Sequence, residues 1–363
     1  RVVRDLVDER AQEFPRVAGR VLNLPHRYGY TTGLGGADED WNFGNTYKYD
    51  YETGATTEHD HGPGRHSGEP VFVSRAAATA EDDSWIMATV YDAAEDRSDV
   101  VILDARFHLD DEDWGDRAFA ESHIPGAQRA SLATDLSGPI IEGVTGRRPF
   151  PASADFERTV RSWGIGPSTQ VVVYDADRGL MAASRVWLMM RWIGHDAVAV
   201  LDGGLPAWEG SGYPMTAEAT SPPAPEQTFV ASVRPHMLAE VDEVDRVRVD
   251  TPTRVFDSRG PEGYHGQGKY YDPVRGHIKG AGLADRAETL DDDGTFKSPE
   301  DLRVHYDALR NGQDADDIIF YCGSGVTAAQ NVLAMEHAGL PGARMYVGSW
   351  SEWIIDPDRE VAL

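Results

Sequence analysis

The chain alternates short apolar runs with longer stretches in which apolar residues recur at helical spacing. Val171–Tyr174 is a continuous apolar run of strand length, and the stretch from about Ala182 to Ile193 carries helical periodicity. Val198–Leu201 is the next apolar run. The same order of elements returns later, with a strand expected at Ile318–Tyr321 and a helix from Thr327 to about Ala338, stopped by Gly339 and Pro341. Continuous apolar strands between helices predict parallel sheets covered on both faces, an α/β architecture. Residues 1 to about 99 follow another rule. Glu69–Val73 and Trp85–Tyr91 are short β-like runs, and Tyr49–Gly54 reads as a strand ending in a turn. Hairpins of a separate β-rich unit are expected there.

The resemblance between the two later halves extends to their motifs. Val100–Arg106 returns as Arg254–Arg259, and the turn His123–Ala127 returns as His277–Ala281. Val171–Asp175 returns as Ile318–Cys322, and Leu201–Trp208 returns loosely as Tyr346–Trp353. A nearly constant spacing of about 150 residues is too long for a solenoid unit and marks a duplicated domain. Ala217–Gln227, with Pro222, Pro223 and Pro225, has a linker composition. The expected organisation is a β-rich unit at 1–99, a first repeat at 100–216, a linker at 217–240 and a second repeat at 241–363.

Charge narrows the partners. The 363 residues carry 34 basic and 61 acidic side chains, a net charge of −27, which argues against nucleic acid and anionic membranes. The lysines are Lys48, Lys269, Lys279 and Lys297 alone, and an acidic, lysine-poor chain of this kind fits a salt-adapted cytoplasmic protein. No apolar run is long enough to span a bilayer. The front carries no basic-led apolar leader and opens on Arg1, as a processed or truncated piece would.

One cysteine excludes a disulfide framework and a cysteine zinc site. Cys322 directly follows a buried strand and precedes Gly323-Ser324-Gly325-Val326-Thr327 and a helix. Backbone N–H groups and the positive end of a helix favour a thiolate, and glycines at 323 and 325 let the loop curl around one anion. A phosphatase loop has the same outline but ends in an arginine six residues past the cysteine. That residue here is Ala328, so the phosphatase reading fails.

These motifs together, Leu103–Arg106, His123–Gly126, Asp202–Leu205, His277–Gly280 and Cys322–Thr327, make residues 100–363 resemble the tandem-rhodanese sulfurtransferases. The resemblance implies two rhodanese-like domains of which the second is catalytic, since Asp175 stands at the nucleophile position of the first. It implies a persulfide on Cys322, loaded from 3-mercaptopyruvate or thiosulfate and passed to cyanide, a thiol or a protein acceptor, with no cofactor. Ser324 would be a catalytic relay partner, with the relay's other members aligning near Ala133, Asp135 and Arg148. Loop residues without basic side chains resemble those of the mercaptopyruvate users. The family's carboxylate-gripping arginine aligns with Gly263, so Arg275, Lys269 and Arg148 are the candidate substrate-binding cations. Arg147 is a further one, while Arg259 and Arg185 read as structural. His123 and His277 recur in both repeats and read as turn-stabilising.

Residues 1 to about 105 resemble a fragment of a carotenoid-cleavage oxygenase propeller, through Glu13–Arg16, Arg27–Tyr30, Gly68–Val73 and Glu81–Asp83. That family holds iron on four histidines from separate blades, and the quoted stretches carry none of them. Glu69 matches an acid that orients such a ligand. The cluster His59, His61 and His66 sits in a glycine-rich loop, and no metal is expected there. The alternatives to a sulfurtransferase are a non-catalytic persulfide or redox sensor and a remnant of an oxygenase.

Overall fold

The computed structural model describes residues 12–16, 26–34, 43–62, 65–67, 71–74, 84–87, 90–92, 97–98 and 100–363, except 180, 223–227 and 251–253. Glu69, Glu81–Asp83, Pro223, Pro225 and the His66 side chain lie outside the described residues. Two compact units divide at Val100.

In the first unit, Gln12–Arg16, Tyr28–Leu34, Phe43–Asp50 and Ala55–His59 form an antiparallel sheet in chain order. The strand expected to end in a turn near Tyr49 does so: Phe43–Asp50 runs into the turn at Tyr51–Gly54 and returns as Ala55–His59, which is exposed along its length. Asp50 holds this turn by accepting from the backbone of Glu52 and Thr53 and from the Arg27 guanidinium. Val71–Ser74 pairs with Ser84–Met87, and Arg65–Ser67, Val90–Asp92 and Arg97–Ser98 form a three-stranded sheet. His59 and His61 stack edge to face at 4.8 Å, and His61 Nε2 lies 3.0 Å from the Thr46 hydroxyl.

The second unit holds both repeats. Ala127–Arg129, Val100–Asp104, Gln170–Tyr174 and Val198–Val200 are neighbours in that order in the first sheet. The second sheet has Gly282–Leu283, Val255–Asp257, Ile319–Tyr321 and Arg344–Tyr346 in the equivalent order, all parallel, with Leu238–Ala239 added at the far edge. That edge strand lies within the span expected as linker. The helices Ala182–Trp192 and Ala329–His337 follow the third strand of each repeat, close to the expected spans. Both are buried on nearly every side, because each packs on its own sheet and on the other. One apolar core therefore runs through the two repeats, from Leu103 and Val173 to Phe320 and Met345. Among the described residues, no helix is long and apolar enough to cross a membrane.

The repeated motifs do the same structural work twice. Asp104 accepts from the Arg106 backbone and guanidinium, and Asp257 accepts from Arg259 in the same way. The hydroxyls of Tyr174 and Tyr321 accept from the backbone of Ile124 and Ile278, tying the third strand to each histidine turn. His123 Nδ1 meets the Phe119 carbonyl and His277 Nδ1 the Tyr264 carbonyl, with stacked rings in both cases. A role shared by both repeats is a role in the fold, since only one repeat carries a cysteine.

Candidate active site

Cys322 ends the central strand of the second sheet and is 2% exposed. Its chain turns through 323–328 before the Ala329–His337 helix begins. Burial raises the thiol pKa, but the Thr327 hydroxyl and the N–H groups of Ser324, Ala328 and Gly325 face the sulfur and outweigh it. The net effect holds the thiol below its ordinary value, as expected for an anion ringed by donors. Of the two loop glycines, only Gly325 takes a left-handed φ, +78°. A Cβ there would lie 2.0 Å from the Val347 carbonyl oxygen. The loop rests on the next strand-to-helix connection: Ser349, itself at φ 56°, accepts from Cys322 N–H at 3.1 Å, and Trp350 N–H donates to the Cys322 carbonyl.

The first repeat shows what the same loop does without a thiol. Asp175 is buried, and its carboxylate accepts from the N–H groups of Asp177, Gly179, Met181 and Ala183 at 2.9–3.1 Å. Burial raises its pKa while those four bonds lower it, leaving it above the ordinary carboxyl value. The aspartate fills its own anion cradle.

A cavity of about 220 Å³ opens over Cys322. Its floor is the loop from Cys322 to Thr327, and Phe107, Leu109 and Met181 from the first repeat form an apolar wall. Tyr270, Tyr271, Val274 and Trp350 line the rest, together with the cations Arg147, Arg259, Lys269 and Arg286. The two repeats build this space jointly. Arg147 stands over the loop, with Nη2 3.5 Å from where a Cβ on Gly323 would stand. Its guanidinium is held by Asp272 through two bonds of 2.8 and 3.0 Å, and its N–H donates to the Ser351 hydroxyl. The Tyr270 hydroxyl is buried and has no hydrogen-bond partner among the described residues.

The structure corrects two of the three expected substrate-binding cations. Arg275 is exposed and lies over the Tyr270 ring at 4.1 Å, and it is not among the residues lining the cavity. Arg148 turns away to Glu112. Lys269 does line the cavity, paired with Asp110. Ser324 lines the floor, whereas Ala133, Asp135 and Arg148 are not among the residues lining the cavity. Asp135 instead accepts from the Ser131 N–H.

Arg185, read as structural, reaches the site from the first repeat. It is fully buried, and Nη1 donates to the Gly325 carbonyl. Its other nitrogens donate to the carbonyls of Leu136, Arg148 and Pro149. Burial pushes its pKa down to about 9, opposed by the charge on Cys322. It remains a cation at neutral pH.

Known proteins share this arrangement. The rhodanese-like domain family matches residues 87–211 and 240–356, about two-thirds of the chain. The chain belongs to the rhodanese family. A probable 3-mercaptopyruvate sulfurtransferase of Pseudomonas aeruginosa is 41% identical over 266 residues, covering 73% of this chain and 92% of that protein. Thiosulfate sulfurtransferase of Cricetulus griseus is 34% identical over 259 residues, 69% and 84% of the two chains. The solved 3-mercaptopyruvate sulfurtransferase from Leishmania major superposes with a TM-score of 0.61 at 30% identity, covering 70% of each chain. These homologues are transferases, and this rhodanese is an enzyme of the sulfurtransferase group. Residues 2–109 match the retinal pigment epithelial membrane protein family, the carotenoid oxygenase group expected for the front unit. The two family matches overlap on 87–109, across the strand Val100–Asp104.

Proposed function

We propose that this rhodanese takes sulfur from 3-mercaptopyruvate through a persulfide on Cys322 and passes it to a thiol or to cyanide. The carrying observation is the Cys322 sulfur facing three backbone N–H groups and the Thr327 hydroxyl on the floor of a cavity lined by cations. The thiolate attacks the donor sulfur, the S–S bond forms and the C–S bond breaks. The departing carbon takes the donor's thiol proton and leaves as pyruvate. The new persulfide anion sits in the cradle that favoured the thiolate, and the acceptor then attacks its outer sulfur.

Arg147 is the donor clamp in this reading. It stands over Gly323 from the first repeat, with its guanidinium oriented by two bonds to the largely buried Asp272 and about a third of its side chain still exposed. Its remaining N–H groups and charge are then presented to a donor carboxylate. The partnerless Tyr270 hydroxyl supplies a second hydrogen bond to the donor. Gly323 and Ser324, where a basic pair would suit a dianion, favour mercaptopyruvate over thiosulfate. The test is thiocyanate formation from cyanide with each donor, combined with intact mass after donor alone. A gain of one sulfur atom and turnover with mercaptopyruvate are expected; no gain with either donor removes the reading.

A further inference from the structure

The cations near Cys322 differ in one respect. Arg259 is paired with Asp257, Arg147 with Asp272, Lys269 with Asp110, and Arg286 with Asp177 at 3.8 Å. Arg185 is the most deeply buried of them, and among the described residues no carboxylate lies within ion-pair distance of it. All its hydrogen bonds go to backbone carbonyls. A fully buried cation without a counter-charge costs several kcal/mol, so such a residue persists where an anion answers it. Gly325 supplies the link. Its carbonyl accepts from Arg185, and its N–H faces the Cys322 sulfur.

We propose that Arg185 is the positioning residue and counter-ion of the sulfur anion on Cys322, supplied by the repeat that has no nucleophile of its own. By fixing the Gly325 carbonyl, the guanidinium holds the Gly325 backbone in the orientation that keeps its N–H aimed at sulfur in both thiolate and persulfide. The persulfide half of this statement rests on the function proposed above; the thiolate half does not. The first repeat is then more than a wall of the cavity. Its helix Ala182–Trp192 carries the charge that the second repeat's loop needs, while its own loop is closed by Asp175.

The experiment measures the thiol itself. With one cysteine in the chain, the rate of alkylation by iodoacetamide against pH reads the Cys322 pKa without any turnover. Arg185→Gln is expected to raise that pKa by about one unit, a tenfold loss of thiolate below it. Arg185→Lys keeps the charge but not the planar fork, and is expected to restore most of the shift while kcat stays low. Unchanged thiol pKa in a folded Arg185→Gln protein overturns the proposal, as does a Lys variant as shifted as the Gln one. Should neither variant fold, wild type is compared with Cys322→Ser in denaturant across pH. A depressed thiol pKa gives wild type extra stability above the unfolded thiol value, lost as pH falls through the folded one. No such pH-dependent difference overturns the proposal too. Transfer activity failing with a normal Arg185 effect would instead count against the function alone.

Discussion

The Ser184 hydroxyl donates to Gln330 Oε1 at 2.9 Å, joining the helix Ala182–Trp192 of the first repeat to the helix Ala329–His337 of the second. Arg191 and Glu336, one helical face further along, form an ion pair across the same boundary. This packing of one repeat's helix on the other's brings residues of the first repeat to the loop of the second. Gln330 also reaches the Thr289 hydroxyl, so the buried polar seam is satisfied and not merely tolerated.

Replacing Cys322 by Ser should abolish sulfur transfer in a protein that still folds and unfolds cooperatively, because an oxygen cannot carry the persulfide while the fold's hydrogen bonds remain. Thiocyanate formation and thermal unfolding check both halves. Retained turnover would assign the chemistry to another group.

Gly325→Ala is expected to do more damage than its size implies. The new Cβ would lie 2.0 Å from the Val347 carbonyl on a backbone at φ +78°, so the loop must move. A fall in kcat of at least about a hundredfold, near 2.7 kcal/mol, should accompany a lower melting temperature. A normal rate would show that the cradle is not held by this glycine.

The clamp can be separated from its sequence neighbours by kinetics. Arg147→Ala should raise KM for mercaptopyruvate about tenfold, near 1.4 kcal/mol, and Tyr270→Phe by a smaller factor. Arg275→Ala and Arg148→Ala should leave KM within about twofold, since neither lines the cavity. Equal effects from the three arginine variants would place the binding energy in net charge and not in contact.

Asp175→Ala should keep turnover within a few-fold but destabilise the chain by about 2 kcal/mol or more, as four buried N–H groups lose their acceptor. The folded carboxyl is raised by burial, so its contribution is full below the unfolded value and declines as pH rises through the folded one. Denaturant unfolding at pH 5 and pH 8 should therefore show the larger wild-type advantage at pH 5.

The acid limb of kcat/KM for the donor should lie below the ordinary cysteine range. Burial opposes the thiolate, but the Thr327 hydroxyl and loop N–H groups win. Rates from pH 5 to 9, with alkylation as an independent titration, check this. A limb at the value of a free cysteine would mean the cradle forms only with donor bound.

The order of strands and helices, the duplication and the position of Cys322 between a buried strand and a helix were legible in the sequence, because each depends on local periodicity and on motifs that repeat. The loop that lacks a thiol was legible too, since Asp175 stands where Cys322 does. Which cations reach the loop around Cys322 was decided by the tertiary structure. Arg275 and Lys269 are close in sequence, yet only Lys269 faces the cavity, because an irregular loop sets side-chain direction by packing and not by period. Arg147 and Arg185 lie far from Cys322 along the chain and reach it through the packing of one repeat on the other. Arg185 looked structural because an arginine inside an apolar helix pattern has no sequence mark of the charge it faces. That charge is on the other repeat, and only the shared core brings the two together.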